Sequence, residues 1–125
     1  MCRSFPSTSW AVPRARHALR DFLAGEVEGD LLDDLALITS ELVTNAVKFG
    51  RRHEDIWLQI ALTDREITVT VSGHSRGDIA AGLHHGADDS LSESGRGLRI
   101  VRDLSDDFTV YRSGLTMMRS SRARR

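Results

Sequence analysis

Two short clusters in the chain carry side chains able to do chemistry. Glu41 and Asn45 are four residues apart, a spacing that stacks them on one face of a helix, and Lys48 continues that face by one more step. Ile38, Leu42, Val43, Ala46 and Val47 flank them closely, which places the carboxylate and the amide at the border of a cleft. An amide oxygen suits a hard cation such as Mg²⁺, which usually shares its oxygen ligands with phosphates. A neighbouring carboxylate suits a general base acting on a water or hydroxyl. Taken alone, the pair is more often the polar edge of a solvated helix.

The second cluster is Ser94-Gly95-Arg96-Gly97, running straight into Leu98-Arg99-Ile100-Val101. Glycines let an anion approach the backbone closely. The first amides of a helix are unpaired and lie at its positive end, so the turn offers a phosphate site. Arg96 and Arg99 add charge. By itself a Gly-x-Gly also describes a plain loop before a helix. The chain lacks the G-x-x-x-x-G-K-[ST] phosphate loop and the strand–G-x-G-x-x-G–helix order of a dinucleotide site.

The elements that must position these clusters follow from periodicity. Apolar residues at helical spacing predict a helix over 14–24, started by Pro13, and a stronger one over 31–49. Asp30 is the expected cap of the second helix, with Asp33 and Asp34 in its first turn and Gly50 as its stop. Alternation predicts a hairpin from Ile56–Ala61 and Ile67–Val71, joined by Thr63-Asp64-Arg65-Glu66. Residues 4–10 could form a short edge strand. A helix over 96–105 and two strands over 107–113 and 115–119 close the chain. Residues 72–95 are rich in Gly, Ser, His and Asp, and a loop that long suggests a lid. Hairpins with helices between them predict an α+β fold: a two-layer sandwich with a mixed, mostly antiparallel sheet and helices on one face.

Bulk properties limit the function classes. The 125 residues fit a single domain over 1–125, and the net charge of −1 recruits neither nucleic acid nor a membrane surface. The one cysteine, Cys2, cannot form an internal disulfide. No apolar run reaches the roughly 20 residues of a membrane span, and a cytoplasmic protein is the expectation. The arginines over 120–125 read as a frayed basic tail. His74, His84 and His85 lie in the long loop without a cysteine or a diagnostic carboxylate spacing, so ordinary loop histidines are favoured over zinc. Trp10 and Trp57 read as core or edge packing, Met117 and Met118 as strand packing.

The order Glu41-Leu42-Val43-Thr44-Asn45-Ala46-Val47-Lys48, hairpin, loop, Gly95-Arg96-Gly97-Leu98-Arg99-Ile100-Val101, then two strands resembles the GHKL (Bergerat-fold) ATPase superfamily. Within it the chain is similar to bacterial anti-sigma-factor serine/threonine kinases and stand-alone actinobacterial relatives. The resemblance covers about residues 5–118. It implies ATP and Mg²⁺ as cofactors, with ATP under a mobile lid. By position, Asn45 matches the Mg²⁺ ligand and Glu41 the catalytic base. Gly95 and Gly97 match phosphate-contacting glycines, with Arg96 and Leu98 beside them. Lys48, Gly77 and Thr116 complete the nucleotide contacts, Thr116 near the adenine. Arg16 resembles an arginine turned towards the protein partner, a sigma factor or an anti-anti-sigma factor, and dimerisation through the N-terminal region is a further family expectation.

The chain departs from the family at three positions. Gly73 stands where an aspartate would accept the adenine amino proton, and the nearest acid is Asp78. Leu115 replaces a frequent lysine and Phe49 a frequent histidine. The implied function is a serine kinase acting on an anti-anti-sigma-type protein. The alternative is a non-catalytic module that sequesters a sigma factor or other regulator.

Overall fold

A computed structural model describes residues 1–51, 53–74, 95–112 and 115–124. The alternating stretches form strands β1 (Cys2–Pro6), β2 (Asp55–Leu62), β3 (Glu66–Gly73), β4 (Asp107–Arg112) and β5 (Thr116–Ala123). The periodic stretches form helices α1 (Ala11–Leu23), α2 (Gly29–Phe49) and α3 (Gly95–Leu104). The sheet order is β1-β2-β3-β5-β4, and every neighbouring pair is antiparallel. The sheet expected as mixed is therefore antiparallel throughout its described strands. β2–β3 is joined by a short polar turn in which the Thr63 amide donates to Glu66 O, and β5 runs antiparallel to both of its neighbours.

Alternation decides which face is buried. Ile56, Leu58 and Ile60 of β2 and Ile67, Val69 and Val71 of β3 point into one core. Leu35, Ile38, Leu42 and Val43 of α2 meet them there, with Ala15, Leu19 and Leu23 of α1 alongside. Leu98 and Val101 of α3 join the same core. The helices thus cover one face of the sheet, and α2 contacts α1, β2, β3 and α3. None of these described helices is long and apolar enough to cross a membrane.

Several expectations need correction. Helix α2 starts at Gly29, and its flanking residue is the extended Glu28, with no side-chain cap. The Leu32 amide already donates to Glu28 O, so Asp30 falls inside the first turn instead of capping it, and Asp33 and Asp34 lie beyond that turn. Trp10 is exposed, and Trp57 lies on the sheet face away from the helices, so neither tryptophan is core.

The basic tail is not frayed over 120–123. β5 continues because β3 offers partners as far as the Glu66–Ala123 pair. Arg122 Nη1 lies 2.9 Å from Asp34 Oδ2 and donates to Leu104 O. The Arg124 amide donates to Arg65 O, and its guanidinium donates to the carbonyls of Thr63 and Glu26. The arginines that suggested a loose end are the groups that fasten it.

Gly50 ends α2 with extended φ and ψ of −77° and 166°. A Cβ built on it would stand 2.4 Å from the backbone oxygen of Ala46 and 3.3 Å from Ser7 Oγ. Gly50→Ala is expected to cost about 1–3 kcal/mol through overpacking, lowering the thermal midpoint by several degrees. Gly29→Ala, with nothing within 4 Å of the added carbon, should leave it level or slightly higher. Thermal melts followed by circular dichroism check the pair, and equal midpoints for the two variants would contradict the packing described.

Candidate functional site

The site is set by how α2 and α3 are anchored. Leu42 and Val43 are fully buried and fix the rotation of α2. That rotation leaves Glu41 half-buried and puts Asn45 inside, 6% exposed. Leu98 and Val101, one turn apart on α3, are buried as well and bring the first turn of α3 against α2. The consequence is close: a Cβ on Gly97 would lie 2.7 Å from Glu41 Oε2 and 3.4 Å from its Cδ. The Glu41 carboxylate therefore rests on the Gly97 backbone. Two clusters 56 positions apart in the chain, taking 97 less 41, are neighbours in space.

That contact has an electrostatic reason. The N-terminal turn of a helix carries partial positive charge on amides that have no partner within the helix. A carboxylate there is stabilising in its own right. The same turn attracts phosphate oxygens. A carboxylate and a helix N-terminus thus meet, with the buried Asn45 amide one turn further along α2. The oxygens of Asn45 and Glu41 are the type a hard cation takes, and glycine at 97 is what lets the Glu41 carboxylate come this close to the helix terminus. The donor set fits Mg²⁺ and phosphate.

A second chamber adjoins Asn45. It is lined by Ala46, Phe49 and Gly50 from the end of α2, Gly73 and His74 from the end of β3, and Thr116 and Met118 from β5. Gly73 pairs with Thr116 in the sheet, which places both at one wall. Among the described residues no carboxylate lines this chamber. A Cβ on Gly73 would meet nothing closer than 3.9 Å, so the wall has room for a side chain that this sequence does not supply. The Arg51 amide donates to His74 O at 3.0 Å, and His74 Nε2 stands 3.6 Å from Glu54 Oε2. These contacts tie the end of β3 to the loop after α2.

The structure sets Glu41 against Gly97 and places Asn45 and Thr116 in the lining of the chamber. Lys48 is exposed, with Nζ 5.4 Å from the centroid of the Phe49 ring, so it sits one layer out from the chamber. The Leu98 side chain is core, 2% exposed, which leaves its amide for a ligand. Gly95 opens α3. The Arg96 side chain, Gly77, Asp78, His84, His85 and most of the expected 72–95 lid lie outside the described residues. Arg16 donates to Ser40 Oγ at 3.2 Å on the exposed side of α1 and α2. Among the described residues no group of three or more His, Cys, Asp or Glu could hold a metal ion. Sequence reasoning missed the lining roles of Gly50, His74 and Met118, because each reads locally as a helix stop, a loop residue or a strand residue.

No curated protein matches the chain. Residues 5–119 match the family model of the histidine kinase-like ATPase domain. That span takes in α2, the turn at Gly97 and all of the chamber, and so the chain belongs to the histidine kinase-like ATPase domain family.

Proposed function

We propose that this chain binds ATP with Mg²⁺ in the cleft between α2 and α3 and transfers the terminal phosphoryl group to a serine of a protein partner of the anti-anti-sigma type. An ATPase domain of this family implies ATP, usually with Mg²⁺. The observation that carries the proposal is the seating of the Glu41 carboxylate against the Gly97 backbone, which joins a base to a phosphate-binding turn. Asn45 would hold the metal through its amide oxygen. The amides of the first α3 turn would steady the phosphate oxygens. Glu41 would take the proton of the attacking hydroxyl. Mg²⁺, when bound, neutralises charge on the phosphates, and the protein's part is positioning and electrostatics more than covalent chemistry.

A second reading rests on Gly73. With glycine at 73 and no acidic side chain among the described residues lining the chamber beside Asn45, a nucleotide base lacks a charge-assisted hydrogen bond from position 73 of about 1.5–3 kcal/mol. A chain so weakened would keep the fold and act by sequestering a regulator such as a sigma factor. The α1 surface around Arg16 is where either kind of partner would dock.

Calorimetry with Mg²⁺-ATP separates the two readings. The kinase reading expects measurable binding, and Asn45→Ala should remove most of its Mg²⁺-dependent part. Absence of binding at millimolar ATP leaves only the sequestering reading. Gly73→Asp should tighten ATP by about ten- to a hundred-fold. An unchanged affinity would show that Gly73 does not face the base. Glu41→Gln should keep ATP affinity within a few-fold and lower phosphoryl transfer by at least about a hundred-fold. Undiminished transfer would remove Glu41 from the chemistry.

A further inference from the structure

Strand β1 is one edge of the sheet, with β2 as its single neighbour among the described strands. The Met1 nitrogen donates to Ile60 O, and the Ile60 amide donates to Met1 O. In antiparallel register the next residues to turn their backbone groups to β2 are Arg3 and Phe5, opposite Leu58 and Ile56. The N–H and C=O groups of Cys2 and Ser4 therefore point out from the sheet. The row ends at Pro6, which has no N–H and whose carbonyl accepts from the Thr8 amide. Such a row of alternating donors and acceptors is a template for another strand. A groove runs beside this edge, between β1 and α1, lined by Arg3, Phe5, Trp10, Pro13, Arg14 and His17. Among the described residues no carboxylate lines it. Asp21 of α1 lies 3.3 Å from His17 Nε2, while the exposed Arg3 and Arg14 form no ion pair among the described residues. Trp10 is 71% exposed. This surface is distinct from the one around Arg16. Arg16 and Arg20 reach Ser40 and Asp33 of α2, and helical geometry puts them on the opposite flank of α1 from Arg14 and His17.

We propose that this edge and groove take an extended acidic peptide segment of a partner protein, added to the sheet as a further strand antiparallel to β1. The backbone row selects a polypeptide, because only another chain's amides match N–H and C=O groups at strand spacing. Alternation sets the pattern of the segment. Arg3 and Phe5 share the helix-side face of the sheet with Leu58 and Ile56, whereas Cys2 and Ser4 share the outer face with Gln59 and Trp57. In the added strand, side chains beside Arg3 and Phe5 enter the groove and those beside Cys2 and Ser4 face outward. Acids at every second position, about 7 Å apart, therefore meet Arg3, Arg14 and His17. The exposed Trp10 ring offers the kind of rigid apolar area that peptide-binding surfaces favour. The same charge disfavours a second copy in this place, since two β1 edges side by side would set Arg3 and Arg14 of one against those of the other. The interaction needs no nucleotide in the cleft between α2 and α3, and it stands or falls separately from ATP binding.

Fluorescence anisotropy on the full chain tests the proposal, with a fluorescein-labelled Thr-Glu-Thr-Glu-Thr-Glu-Thr peptide as the probe. The peptide should bind saturably at low salt with a Kd of about 100 μM or tighter. The peptide with lysine in place of each glutamate should not bind. Arg3→Glu and Arg14→Glu, both exposed positions, should each weaken binding by about ten-fold or more. Arg65→Glu, on the turn between β2 and β3, should leave it unchanged. In antiparallel pairing the threonine amides of the probe face β1. N-methylation of the threonines should therefore abolish binding, and N-methylation of the glutamates should not. Charge attraction without strand pairing would leave both methylated peptides bound. Circular dichroism matching the wild type shows that each variant is folded. No binding up to about 1 mM, binding that survives Arg3→Glu and Arg14→Glu or threonine methylation, or equally tight binding of a uridine hexanucleotide overturns the proposal.

Discussion

The seating of the Glu41 carboxylate on the Gly97 backbone is the constraint on which the rest of the site depends. It requires a helix whose buried face is fixed to within one residue, and Leu42 and Val43 supply that. It requires a second helix that begins at the right place, and Leu98 and Val101 anchor that helix in the same core. It also requires that position 97 have no side chain. Each requirement belongs to a different link of the chain from sequence to function, and the cleft exists only where all three are met.

The sheet serves this arrangement from beneath. β3 is its middle strand, and α2 lies across β3 and β2. The residues that line the chamber next to Asn45 come from the ends of α2, β3 and from β5, elements distant in sequence but adjacent in register. The chamber is apolar on the Ala46, Phe49 and Met118 side and lacks an acid at Gly73. Its two ends therefore differ in character. Beyond its Asn45 end, one turn back along α2, Glu41 and the α3 terminus have the oxygens and amides that a cation and a phosphate need. The end near Gly73 offers, among the described residues, shape without a charged acceptor. Affinity that rests on the first end alone is governed by phosphate and metal more than by the identity of the base.

Much of this was readable from residue types and spacing. Glu41, Asn45 and the glycine turn were identifiable because helical periodicity and turn chemistry are local signals. Chain order then joined them. The hairpin of β2 and β3 was readable for the same reason, since alternation of Ile56, Leu58 and Ile60 with polar residues is local. What escaped was decided by contacts between distant segments. The true length of β5 depends on partners in β3 and on Asp34, which no window around Arg122 contains. Leu98 looked like part of a phosphate turn, yet core packing claims its side chain. Trp57 looked like packing, and only the register of five strands places it in a row with Met117 and Tyr111. Gly50 looked like an ordinary helix stop, while the space around it explains why no other residue fits.

The most direct measurement of the central claim is a titration of the full chain with Mg²⁺-ATP followed residue by residue through amide and side-chain NMR signals. The account predicts saturable shifts that are largest at the Gly97 and Leu98 amides and the Asn45 side-chain amide, with Thr116 and Gly73 affected and the far end of the sheet near Leu62 silent. Saturation with no shift at Gly97, Leu98 or Asn45, or no shift anywhere at millimolar nucleotide, would contradict it.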